Sequence, residues 1–160
     1  MRVLGIDPGP ERCGVVVYCT TERRCIFAQV LDTEPLLFRR FKSLVKLHAV
    51  ELVGIERVQS YGIAGGSLLR TSEVVGRLWQ SAIALEVAMR LVYRREVLSA
   101  LDVSGKGSRD ALVRARLLEM HGDGTRSKAC GRKASPGPLY GVASHSWAAL
   151  AVACVVGGVR

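Results

Sequence analysis

Apolar residues fall in short blocks along the first third of the chain, and each block has the length of a strand. Residues 2–7 (Arg-Val-Leu-Gly-Ile-Asp), 13–19 (Cys-Gly-Val-Val-Val-Tyr-Cys) and 24–31 (Arg-Cys-Ile-Phe-Ala-Gln-Val-Leu) are runs of the kind that buried strands make. The gaps between them are too short for a crossover, so they predict an antiparallel meander. The period then changes. Over 35–48, Leu37, Phe41, Leu44, Val45 and His48 recur at helical spacing. Residues 51–56, Glu-Leu-Val-Gly-Ile-Glu, form a fourth strand that ends in an acid, and residues 57–70, with Tyr61-Gly62 and Gly65-Gly66, predict a mobile loop. A long amphipathic helix is expected over 71–89, with Val75, Leu78, Trp79, Ala82, Ile83 and Glu86 in neighbouring positions and Thr71 or Ser72 as its cap. Residues 90–94 make a fifth strand. A helix over about 108–120 carries Leu112, Ala115, Leu118 and Glu119 on adjoining turns, and 122–138 is a polar, basic loop rich in Gly and Pro. An apolar helix, capped by Ser144, closes the chain at about 145–156. This order predicts an α/β fold: a mixed five-stranded sheet, its first three strands antiparallel, with helices on both faces. Neither a repeat nor a long linker divides the chain, so residues 1–160 are read as one domain.

Composition adds a partner class. Lys plus Arg number 23 against 14 Asp plus Glu, a net charge of +9 with pI near 9.8. Such a chain attracts the phosphate backbone of nucleic acid. The basic residues cluster, in Arg94-Arg95 through Lys106 and Arg109, and in Arg126, Lys128, Arg132 and Lys133. Taken singly these are solvated surface charges; as groups they favour DNA. No apolar run reaches the roughly 20 residues of a membrane span, and the start does not resemble a signal peptide. A soluble, cytoplasmic protein is expected. Five cysteines without a Cys-x-x-Cys pair predict buried free thiols. Cys130 stands apart in its polar loop, where a zinc site with His121 or His145 is conceivable but poorly supported by the spacing.

The chemistry starts at Asp7. It ends the first strand and is followed at once by Pro8-Gly9. A carboxylate on a rigid strand tip suits a hard metal ion, although Asp also simply starts turns. Glu56 ends the fourth strand in the same manner. If those strands are neighbours, the two acids meet at one edge, and two carboxylates so placed repel unless a cation lies between them.

Gly5-Ile6-Asp7-Pro8-Gly9 followed by Gly14, then Ile55-Glu56, then Ala149-Leu150-Ala151-Val152-Ala153 is an order and spacing that resembles the RuvC family. These are Holliday-junction resolvases with a ribonuclease H-like fold, and the likeness is greater to phage or prophage members. The resemblance covers nearly the whole chain. It implies two Mg²⁺ ions per active site, with Mn²⁺ able to substitute, held by four side chains: Asp7, Glu56 and two on the last helix. The third position falls on His145, where a helix N-terminus disfavours imidazolium and leaves the ring able to bind metal or water. The fourth falls on Ala148, which cannot bind a metal. An engineered replacement, a native three-ligand site, and lost catalysis with retained binding are all compatible with it. The resemblance further implies a homodimer that nicks four-way junctions symmetrically, leaving 5′-phosphate and 3′-hydroxyl ends. The helix over 71–89 is a candidate part of the interface, although core packing explains most of its apolar residues equally well. The family's branch-point aromatic would fall on Gln59 here; Tyr61 is the nearest aromatic and a candidate to stack on a base.

Three rivals remain open: a non-catalytic junction binder, a nuclease of the same fold acting on other branched DNA or RNA, and an actin-like ATPase, which also begins Gly-Ile-Asp-x-Gly. The last needs two such domains and a second phosphate loop, so no nucleotide cofactor is expected.

Overall fold

The computed structural model of the chain describes residues 1–59, 62 and 65–159. Strands β1 (Arg2–Asp7), β2 (Arg12–Cys19) and β3 (Arg24–Asp32) form the antiparallel meander. β4 (Leu52–Arg57) and β5 (Ala88–Tyr93) extend it in parallel, giving the order β3-β2-β1-β4-β5. The mixed sheet expected from the sequence is therefore present.

Helices cover both faces. On one, α1 (Phe38–Leu47) and α2 (Gly66–Ala84) pack against Leu4, Ile6, Val15, Val17, Val53 and Ile55. On the other lie α3 (Arg94–Ala100), α4 (Arg109–Met120) and α6 (Ser146–Val156), over Val3, Val16, Tyr18 and Val92. Alternate residues of each strand thus feed opposite cores, as the two-residue period of a strand requires. The basic segment before α6 holds a single turn of helix, α5 (Arg126–Ala129), and a two-residue pair, β6 (Gly131–Arg132) with β7 (Ser135–Pro136).

Small residues let α6 lie close to the sheet. A Cβ on Gly5 would strike the Ala149 carbonyl and come within 2.8 Å of the Ala153 methyl; one on Gly14 would strike the His145 carbonyl. Gly14 is the partner of Asp7 across β1 and β2. Its missing side chain brings the start of α6 down onto the end of β1.

Several element boundaries differ from the sequence reading. The regular α part of the first helix starts at Phe38, but a π-turn over Thr33–Leu37 leads into it, with only Glu34, which precedes Pro35, extended (φ −121°, ψ 137°). The long helix starts at Gly66, and Thr71 and Ser72 sit inside it; their hydroxyls donate to the carbonyls of Ser67 and Leu68 and cap nothing. It stops at Ala84 because Glu86 turns left-handed (φ 53°). Trp79 and Ile83 lie on its outer face, 42% and 57% exposed. On α4 the buried residues are Val113, Leu117 and Leu118, so the apolar stripe is rotated from that of Leu112 and Ala115. Ser144 does not cap α6: its backbone is left-handed (φ 47°), His145 takes the cap position, and Ser146 Oγ bonds Ala143 instead. Helix α3, unforeseen in the sequence, forms because the Glu96 carboxylate accepts a 2.7 Å bond from the Tyr93 N–H and closes its first turn.

Candidate active site

β1 and β4 run parallel with Ile6 opposite Ile55, so Asp7 and Glu56, the next residue on each, leave the sheet side by side. Both open into one cleft of about 590 Å³, whose walls include Arg94, Asp110, Arg114, His145, Trp147 and Ala148. The Asp7 side chain is 24% exposed and that of Glu56 17%. Burial pushes both carboxyl groups above their ordinary values. The positive field of Arg94 pulls against that shift at both, and the Asp110 charge adds to it. At Glu56 the charge of Asp7 adds to it as well.

His145 reaches Asp7 from above, its Nδ1 3.6 Å from Asp7 Oδ2. It is held there by the approach of α6 over Gly14. Ala148, one turn further along α6, lines the same cleft. The structure therefore brings Asp7, Glu56, His145 and Ala148 together as expected.

It also adds two residues that sequence reasoning missed. Asp110 sits in the first turn of α4, and Arg114 one turn on spreads its guanidinium over the Trp147 ring at 5.2 Å. The signal was their spacing of four, which places both on one helix face. Asp110 was masked by its position, because an acid in a first turn is expected for the helix dipole alone.

The basic candidates divide. Arg94 lies in the cleft: its Nη1 is 3.4 Å from Glu56 Oε2, and its Nη2 donates to Asp110 Oδ1. Arg95 lies over the Tyr93 ring at 5.2 Å, with Arg57 on the same ring at 5.1 Å. Lys106 is exposed in a turn made by two left-handed glycines, Gly105 (φ 119°) and Gly107 (φ 124°), and Arg109 Nη1 donates to the Gly105 carbonyl. Arg126, Arg132 and Lys133 are exposed, and Lys128 pairs with Asp123 at 2.9 Å. Gln59 lies beside the cleft, in a depression shared with Asp7, Glu56 and Arg94. Tyr61 lies outside the described residues.

The zinc site is not formed. Both ring nitrogens of His121 are engaged: Nδ1–H donates to the Leu117 carbonyl at 2.9 Å, which leaves Nε2 to accept from the Tyr18 hydroxyl at 2.7 Å. Cys130 is buried rather than displayed on a loop. All five cysteines are buried free thiols, and burial pushes Cys25 and Cys154 up to about 12.

Among the described residues, no three His, Cys, Asp or Glu side chains form a ready-made metal cage. The donor set nonetheless fits a hard cation. Mg²⁺ is usually held by one or two carboxylates together with water and substrate phosphate. Asp7 and Glu56 offer such a pair, short of water and burdened with like charge.

The mixed sheet, with acids at the tips of two adjacent inner strands under a C-terminal helix, has the arrangement that the resemblance implied. Comparison with known proteins finds the same fold in solved RuvC structures. The structure of Thermus thermophilus RuvC in complex with Holliday junction substrate superposes with a TM-score of 0.67 at 22% identity, covering 97% of this chain and 91% of that one. A second T. thermophilus RuvC structure gives the same score and identity, with 97% and 92% covered. In sequence, the crossover junction endodeoxyribonuclease RuvC of Clavibacter michiganensis subsp. michiganensis is 41% identical over 70 residues, 36% of this chain. That match spans 35% of the curated relative's length. No family model matches the chain. The chain thus has the RuvC fold, and the resemblance to RuvC drawn from its motifs is borne out.

Proposed function

We propose that this chain is a structure-specific DNA endonuclease that binds four-way junctions and cuts them by metal-dependent phosphodiester hydrolysis, in the cytoplasm of a bacterial or phage-infected cell. One observation carries the reading: Asp7 and Glu56 stand side by side at the mouth of a cleft, in a chain of net charge +9 with the fold of a RuvC that was solved on a junction. Asp7 and Glu56 would hold Mg²⁺ or Mn²⁺, with His145 serving the bound water. Bound divalent ions supply positive charge to the scissile phosphate and make an attacking water more acidic. Among the chain's own groups, Asp7 and Glu56 orient that charge, and His145, beside Asp7, is placed to hold or accept a water proton. The exposed Lys106 and Arg109, at the start of α4, and Arg126, Arg132 and Lys133, in the basic segment before α6, contact the DNA backbone.

A second copy of the chain completes the enzyme, since a four-way junction has two strands to cut in symmetry. The exposed stripe of Leu69, Trp79 and Ile83 on α2, with open space at Gly76 between them, supports this helix as the interface.

Ala148 favours a second reading, a junction-binding protein with weakened or no cleavage. One experiment separates the two: labelled four-way junction and linear duplex, with Mg²⁺ or Mn²⁺, for this chain and Ala148→Asp. Nicking of the junction alone by the unaltered chain supports the nuclease. Binding without nicking, restored by Ala148→Asp, identifies a disabled enzyme. Absence of junction preference in both forms overturns the proposal.

A further inference from the structure

Two guanidinium groups line the cleft, Arg114 on its wall over Trp147 and Arg94 within its carboxylate cluster. Arg94 is the first residue of α3, fixed there by the bond that Glu96 makes to Tyr93. From that point its guanidinium reaches two acids at once, Glu56 at 3.4 Å and Asp110 more closely still, and the side chain is only 28% exposed. Asp7, Glu56 and Asp110 face two guanidinium groups, Arg94 among them and Arg114 on the cleft wall, which leaves one net negative charge from these groups. One divalent ion more than balances it. A second would find Ala148 where a ligand is needed, and a guanidinium already on the Glu56 oxygen it would share.

We propose that Arg94 is a built-in cation that takes the place of a second metal ion, held on Glu56 and moored by Asp110, so that the cleft accepts one divalent ion per chain. The proposal rests on reading the cleft as a metal-dependent nuclease site. It gives Asp110 a definite part as a positioning residue. Asp110 shares the fork of Arg94 and so loosens its hold on Glu56. It also gives the site an element that an ion lacks, because a planar guanidinium can pair two oxygens of a phosphate at once.

The test is Mn²⁺ binding by the full-length protein without DNA, read by calorimetry and by the electron paramagnetic resonance of the free ion. The unaltered chain should bind one ion, and Asp7→Asn should lose it. Arg94→Gln should bind Mn²⁺ about tenfold more tightly or better, since single and double positive charges a few ångströms apart repel by more than 1 kcal/mol even in a water-like dielectric. Arg94→Lys keeps the charge and should stay close to the unaltered chain. Asp110→Asn should bind several-fold more weakly, because Arg94 then pairs with Glu56 alone. Melting curves establish that each variant is folded, and the Asp110 and Lys variants decide the matter if Arg94→Gln is not. Two ions on the unaltered chain, or unchanged affinity in Arg94→Gln, overturns the assignment of Arg94 while leaving the nuclease reading intact. Failure of every form to bind Mn²⁺ overturns both.

Discussion

Helix α4 carries a polar cluster at each end, and the two are built on opposite principles. At its carboxyl end His121 is buried, and each ring nitrogen has one partner, Tyr18 or Leu117, with the tyrosine ring edge-on at 5.5 Å between centroids. At its amino end Asp110 joins Asp7 and Glu56 around a single guanidinium, with burial working against the charges of Asp7 and Glu56. The first cluster is complete without any other molecule. The second carries more negative charge than it can neutralise. A polar cluster that balances its own bonds contributes to the fold, whereas one left in deficit calls for a ligand.

The largest expected effect bears on the unbalanced end. Asp7→Asn should slow junction cleavage by at least ~100-fold, the loss of several kcal/mol of transition-state charge stabilisation. Junction affinity, measured by gel shift, should stay within about threefold, since phosphate contacts elsewhere carry it. Near-normal cleavage by that variant would remove Asp7 from the site. Next is the balanced end. Tyr18→Phe leaves a buried imidazole nitrogen without its donor and should cost about 1–3 kcal/mol in urea unfolding, with cleavage by the folded variant unchanged. A stability change well under that range would show the pair to be ornamental.

The smallest effect concerns pH and sharpens the contrast further. The carboxyl of Asp7 binds its proton more tightly in the folded than in the unfolded chain, so its ionisation costs stability as pH rises through the folded value. Without metal, Asp7→Asn should therefore melt above the unaltered chain at neutral pH. The gap should close as pH falls to about 4, the ordinary aspartate range. Added Mg²⁺ should narrow it from the other side. A variant that melts lower at neutral pH would mean that Asp7 is already satisfied.

Much of this was legible from residue order. The strand blocks gave the meander and the neighbouring of β1 and β4, because runs such as Leu4-Gly5-Ile6 and Val53-Gly54-Ile55 have few other places to be buried. Asp7 and Glu56 were found because each ends such a run, whereas His145 and Ala148 were reached through the resemblance to RuvC. Arg94 and Asp110 were not recognised as partners of Glu56. Their contact depends on α3, whose cap is a tyrosine backbone bonded to Glu96, and on a cleft wall set by the rotation of α4. Neither is written in local periodicity. Misread caps share one cause: Thr71, Ser72 and Ser144 have capping chemistry, but tertiary packing decided where each helix began.

The glycine gap beneath α6 has a bearing on how such a protein can change over time. Main chain, not side chain, sets the seat of this helix, through Gly5 and Gly14 against Ala149 and His145. The seat is therefore indifferent to what positions 145 and 148 carry. A substitution there alters the reactive group and leaves its address unchanged. Gly14 itself has no such freedom, because any larger residue would lift the start of α6 away from Asp7. The region most open to chemical drift is thus held by the residue least able to vary.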